Sequence, residues 1–97
     1  MGQVGLERVL ATIRQAVLDQ TYVMTPHALL EMHVDRLDVV DVESALLTGT
    51  IERVFTDDPR GTRYEIVGRA TDLSTAVAVV VRFAGPLLII TVYEMRP

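Results

Sequence analysis

The sequence predicts an α+β domain in which three N-terminal helices pack on a four-stranded antiparallel sheet. Three observations predict it. Apolar residues recur at helical spacing in the first third of the chain. Two helix starts stand close together between Thr25 and Gly49. The second half carries strand-type runs separated by turn residues. Helices followed by strands, rather than alternating with them, argue for antiparallel pairing. At 97 residues the chain makes one domain, 1–97, with a single core.

The first helix is expected over about 5–18, where Leu6, Val9, Leu10, Ile13 and Val17 form one stripe. Glu7, Arg8, Arg14 and Gln15 take its other face. Residues 21–24 are too few to classify and are open to an extended form. Thr25 reads as the N-cap of a second helix over about 26–35, with Pro26 at its first position. Asp38 caps a third, about 38–48, whose first turn gains the favourable charge of Asp41. Val39, Val42, Ala45 and Leu46 make its buried stripe, Gly49 ends it, and Leu37 packs in the corner.

Strands are expected over about 50–56, 62–70, 75–83 and 87–94. Asp57-Asp58-Pro59-Arg60-Gly61 is a turn-rich loop. In the second strand Tyr64, Ile66 and Gly68 face one way, and Arg63, Glu65, Val67 and Arg69 the other. The last two strands are apolar without alternation, which places them centrally with both faces covered. Helices cover one face. Covering the second calls for a partner, another protein or a second copy in a homodimer.

Composition narrows the function classes. There is no cysteine, hence no disulfide and no thiolate metal site. No segment reads as a secretory signal or a membrane span, so a cytoplasmic setting away from membranes is expected. All nine basic residues are arginine, against thirteen acids and a net charge of −4. A protein that grips nucleic acid usually carries a basic excess, so an RNA role requires these arginines to gather on one face. Phosphate-loop, nucleophile-elbow, zinc-finger and dinucleotide motifs are all missing, which removes most cofactor enzymes.

His27 sits at the second position of its helix, where the dipole favours the neutral ring. Glu31, one turn on, favours the charged ring, and the two effects oppose. The plainer alternative is a partly buried ring bonded to the backbone or to Glu31. His27, Glu31 and Asp35 share a helix face at metal-ligand spacing, but no second cluster completes a site, so no metal is assigned. His33 points away from His27 and reads as a surface or helix-end packing residue. Arg63 and Arg69 share a strand face, with Arg60 in the loop before, as a phosphate-binding set or a solvated face paired to acids. Tyr93 offers a hydroxyl near the end of the last strand.

The series Tyr22, Thr25-Pro26-His27-Ala28, Met32, Leu37, Asp41-Val42, Ala45-Leu46 and Gly49 resembles the domain of unknown function 4258 family. The likeness continues through Asp57-Asp58-Pro59, Arg63-Tyr64, Gly68-Arg69 and Ile90-Thr91-Val92-Tyr93-Glu94, over essentially the whole chain including the leading helix. It implies a fold similar to RelE-like and BrnT-like ribonuclease toxins, which need no metal or other cofactor. RNA would lie on the sheet, held in check by a cognate antitoxin, of zinc-finger type in some relatives. Carried over, His27 is the acid or base, Tyr93 a supporting donor, and Arg63 and Arg69, with Arg60, the phosphate-binding residues. Two places where the family pattern commonly has arginine hold Glu31 and Asp35, and Ala76 and Val77 stand where many members have histidine. Two readings follow: a metal-independent toxin-type ribonuclease, or a non-catalytic relative that binds a protein partner or itself.

Overall fold

The computed structural model describes residues 2–96. In order it contains α1 (Gly2–Asp19), β1 (Tyr22–Met24), α2 (Pro26–Val34), α3 (Val39–Thr48), β2 (Thr50–Phe55), β3 (Arg63–Arg69), β4 (Ala76–Phe83) and β5 (Leu87–Glu94). The α+β class and the three helices are as expected. The sheet is not: it has five strands in the order β1-β5-β4-β3-β2, and β1 pairs with β5 in parallel. The four-stranded, wholly antiparallel expectation is corrected by three residues, Tyr22–Met24, which align with Leu87–Ile89.

The helices lie on one face. Ile13 and Val17 of α1, Ala28 and Met32 of α2, and Val42, Ala45 and Leu46 of α3 are buried. They share one core with Ile66, Val77, Val79, Val81, Ile89 and Val92 of the sheet. Where α3 crosses β3, Gly68 lies so close that a Cβ on it would fall onto the main-chain carbonyl of Ala45. Gly49 follows α3 with an extended backbone (φ −91°, ψ −179°). Its missing side chain serves a close approach to the carbonyl of Val67, not a left-handed turn.

Two helix ends close without glycine. After α2, Arg36 donates to the carbonyl of His33 and Leu37 to that of Met32. After α1, Gln20 donates to Val17 and Thr21 to Ala16. Both are the paired bonds of a Schellman stop, and both put an ordinary residue, Arg36 (φ 56°) or Gln20 (φ 58°), in the left-handed conformation glycine prefers. Arg36→Gly is therefore expected to stabilise by about 0.5–1 kcal/mol, read as a higher urea midpoint. Arg14 does not face solvent as its place in the helical pattern suggested. Its guanidinium donates to the carbonyls of Leu46 and Gly49 (3.2 and 2.6 Å), neutralising the C-terminal end of α3.

β1 is too short to cover β5. Beyond Ile89 the outer edge of β5 is taken by α2, which runs alongside it. Thr25 opens the contact, its N–H donating to Ile89 and its hydroxyl to the carbonyl of Ile90. Glu31 then accepts the N–H of Val92 (3.0 Å), and Asp35 that of Glu94 (2.8 Å). The spacings match: residues four apart on a helix rise about 6 Å, and alternate strand residues stand about 6.7 Å apart. Glu31 and Asp35 thus close a sheet edge that would otherwise expose backbone donors. Glu31→Ala is expected to cost about 1–2 kcal/mol and to speed hydrogen exchange at Val92. Asp35→Ala should do the same at Glu94, and unchanged exchange at both amides would refute the edge role.

Candidate functional site: the helix-free face of the sheet

Cross-strand register assigns the second face. Arg63, Glu65, Val67 and Arg69 of β3 stand opposite Arg82, Val80, Ala78 and Ala76 of β4. On this face Ala78 and Val80 are 0 % and 6 % exposed in the single chain, while Val67 and Tyr93 are half-buried. β5 alternates between buried and half-buried residues rather than being covered on both sides.

Two β-bulges complete the face. Strict alternation would put Arg53 on the same side as Ile51, and Tyr93 on the same side as Ile89. A bulge between Ile51 and Arg53 shifts the register, so Ile51 opposes Ile66 on the helix side while Arg53 opposes Glu65 on the other. A second bulge in the β4–β5 ladder leaves Val81 opposite Ile89 but Val80 opposite Thr91, which turns Tyr93 to the helix-free face beside Ala78. A bulge re-aims a side chain. Here two bulges deliver their residues to the same carboxylate.

That carboxylate is Glu65, 3 % exposed and the one buried charged residue of the described chain. Arg53 grips it with a fork, Nε to Oε1 at 2.9 Å and Nη2 to Oε2 at 3.2 Å, and the Tyr93 hydroxyl donates to Oε2 at 2.6 Å. The Arg53 fork, followed by the Tyr93 bond, holds the Glu65 carboxyl below the usual range despite its burial. The bond to Glu65, together with burial, pushes the Tyr93 phenol up, so it stays a neutral donor at physiological pH.

One end of this face is crowded with cations. Arg63 and Arg82 are direct cross-strand neighbours, and Arg53 and Arg63 lie 5.4 and 5.0 Å from the centre of the Phe55 ring. Asp58 ties down Arg60 (Nε and Nη2, both 3.2 Å) and is held below its ordinary pKa by it. The residues singled out in the sequence are therefore only partly brought together. Arg60 and Arg63 meet at this end. Tyr93 joins Glu65 and Arg53. Arg69 stands six residues along β3 from Arg63, about 20 Å away, bonded to the carbonyl of Leu73. His27 lies on α2 outside the β5 edge, largely exposed, its Nε2 3.4 Å from the Glu31 oxygen that also receives Val92. Glu31 and Asp35 are each engaged by a backbone N–H, and no cluster of three metal-ligating side chains occurs among the described residues.

Sequence patterns alone do not mark Arg53, Glu65 or Arg82 as site residues. Alternation within β3 shows the orientation of Glu65, but only the tertiary register shows what meets it.

A family model described as Domain of unknown function (DUF4258) matches residues 24–94. The chain belongs to DUF4258. The match starts at the last residue of β1, so α1 lies outside it, contrary to a likeness reaching through the leading helix. The matched range takes in the helix-free face from Arg53 to Tyr93. Neither a curated protein nor a solved structure matches the chain. No helix among the described residues is long and apolar enough to cross a membrane.

Proposed function

We propose that this DUF4258 chain is a small metal-independent ribonuclease domain of the toxin type, related in architecture to RelE-like toxins and restrained by an antitoxin. The observation that supports it is the segregation of charge. A chain of net charge −4 presents Arg53, Arg63, Arg69 and Arg82 on one side of its sheet. Of the carboxylates near them, Glu65 is paired with Arg53, Asp58 bonds Arg60, and Asp57 and Asp58 approach Arg63 only to 3.8 and 3.6 Å. This meets the condition that an RNA role imposes on an acidic protein.

Cleavage without metal needs the ribose 2′-oxygen to attack the adjacent phosphorus while the bond to the 5′-oxygen breaks. The 2′-hydroxyl proton passes to a base, a proton reaches the leaving 5′-oxygen, and a 2′,3′-cyclic phosphate remains. Arg53 and Tyr93 are donors suited to the charge that grows on the phosphoryl oxygens. Glu65 lies beside them with both oxygens bonded, and it receives the 2′-proton only if RNA draws Arg53 or Tyr93 off it. His27, outside the β5 edge, is the weaker candidate for that role.

The test is incubation of single-stranded RNA with the protein in excess chelator, with analysis of product ends. Cyclic phosphate ends are expected, with Glu65→Gln and Tyr93→Phe slowing cleavage by about 10²-fold or more at temperatures where each variant is folded. Intact RNA with the native chain, or undiminished cleavage by both variants, defeats the reading. One observation favours the non-catalytic alternative: Leu30 and Val34 of α2 are 63 % and 71 % exposed beside Tyr93. Intact RNA together with a concentration-dependent dimer that Val34→Asp disperses would support it.

A further inference from the structure

Arg63 and Arg82 form the one like-charged pair set directly opposite each other in the β3–β4 ladder, where paired side chains stand about 5 Å apart. Such a pair is unfavourable unless something negative lies between its members. The protein's own carboxylates serve it poorly. Asp58 and Asp57 approach Arg63 only to 3.6 and 3.8 Å, beyond hydrogen-bond length. Asp58 is held away by Arg60, through the main-chain N–H at 2.9 Å and the side-chain fork. Arg82 has no carboxylate within 4 Å among the described residues, and its Nη1 reaches only the carbonyl of Arg60 at 3.3 Å. In both arginines the Nε–H is buried without any acceptor. Two adjacent guanidinium groups, each with an Nε–H bond unmade and neither held by a carboxylate at hydrogen-bond length, leave room for an added anion.

We propose that Arg63 and Arg82, with Arg60 at the rim, form a phosphate-binding subsite. The ligand's chemistry follows from the donors. A guanidinium offers N–H groups and no acceptor, which excludes neutral donors and base edges that need both. A carboxylate has two oxygens in one plane and matches a single fork, as Asp58 does with Arg60. A tetrahedral oxyanion can give separate oxygens to two neighbouring forks, and its charge offsets their repulsion. Arg82 is the defining residue, because without it the site reduces to one arginine already shared with Asp57 and Asp58. Arg69 is too distant to take part. The subsite rests on the ribonuclease reading only for the owner of the phosphate, a nucleic-acid backbone rather than a free ion.

The experiment follows the arginine Nε–H resonances of the full chain while inorganic phosphate replaces chloride at constant ionic strength. Saturable shifts at Arg63 and Arg82, absent at Arg69, are expected. Arg82→Gln should weaken binding about tenfold or more, the loss of one charge-assisted fork, and Arg63→Gln should act alike. A second arm uses a short 2′-O-methyl oligoribonucleotide, which cannot be cleaved. The same shifts at lower concentration assign the site to a nucleic-acid backbone, and shifts with phosphate alone assign it to free phosphate. Linear shifts spread over all arginines, or affinity unchanged in both variants, overturn the proposal. RNA cleavage without saturable phosphate binding would remove the subsite and leave the ribonuclease. Phosphate binding without cleavage would do the reverse.

Discussion

Replacing Gly68 by alanine is expected to destabilise the protein by about 2–3 kcal/mol, the upper range for overpacking a filled core. For a domain of this size that lowers the melting temperature by roughly 10–20 °C. The cause is where α3 meets β3. A Cβ on Gly68 would meet the carbonyl oxygen, carbon and Cα of Ala45, all main-chain atoms. A side chain could rotate away, whereas a helix backbone can move only by lifting α3. That would open the core around Val42 and Leu46, both fully buried. The obvious rescue should fail. Ala45→Gly removes a methyl but not the carbonyl, and costs about 1 kcal/mol of helix propensity itself. The double variant should be no more stable than Gly68→Ala alone. A rescue, or a melting temperature within a few degrees of the native chain, would show that the helix yields easily.

Helices, turns and the alternation of β3 are local patterns, and they were legible. Thr25 does cap α2 through its side chain, accepting the N–H of Ala28 at 3.2 Å. β1 was illegible because its partner, Leu87–Ile89, lies more than sixty residues away. Three residues carry no period of their own. The ends of α1 and α2 use Gln20 and Arg36 where a reader looks for glycine. Glu31 and Asp35 look like charge reversals at a phosphate site until α2 is laid along β5. Only then do they become acceptors for two edge amides.

The site was half legible for a similar reason. Arg63 shows its face by alternation within one strand. Arg53 and Tyr93 show the wrong face, because each lies beyond a bulge that resets the alternation. Arg82 closes an apolar run and reads as the end of a strand rather than the start of a site. A bulge leaves no signature in residue types here, since Glu52 and Ile90 are ordinary strand residues.

Glu65→Gln is expected to cost about 1.5–3 kcal/mol at neutral pH, the range for hydrogen bonds to a charged group. Its larger effect should be on the acid side. The native fold holds the Glu65 carboxyl below its ordinary value of 4.5, first through Arg53 and then through Tyr93. The unfolded chain therefore binds a proton at higher pH than the folded one. The stabilisation is complete above about pH 4.5 and is lost as pH falls through the lower folded value. Asp41, Asp58 and Asp72 are depressed as well, chiefly by bonds from Thr71, Arg60 and Thr75, and add to the same slope. They remain in the variant, so the difference between native and Glu65→Gln urea curves across pH isolates Glu65. That difference should shrink steadily below pH 4.5. Arg53→Met removes the main cause of the depression and should shrink the acid loss while lowering stability at neutral pH, because a buried carboxylate has lost its cation. A difference that does not vary with pH would mean that Glu65 titrates alike in both states. The Arg53 fork would then be a surface contact rather than the centre of the helix-free face. The same curves fix the conditions for the cleavage assay. Loss of activity in Glu65→Gln at a pH and temperature where the variant is still folded separates a proton acceptor from a structural carboxylate.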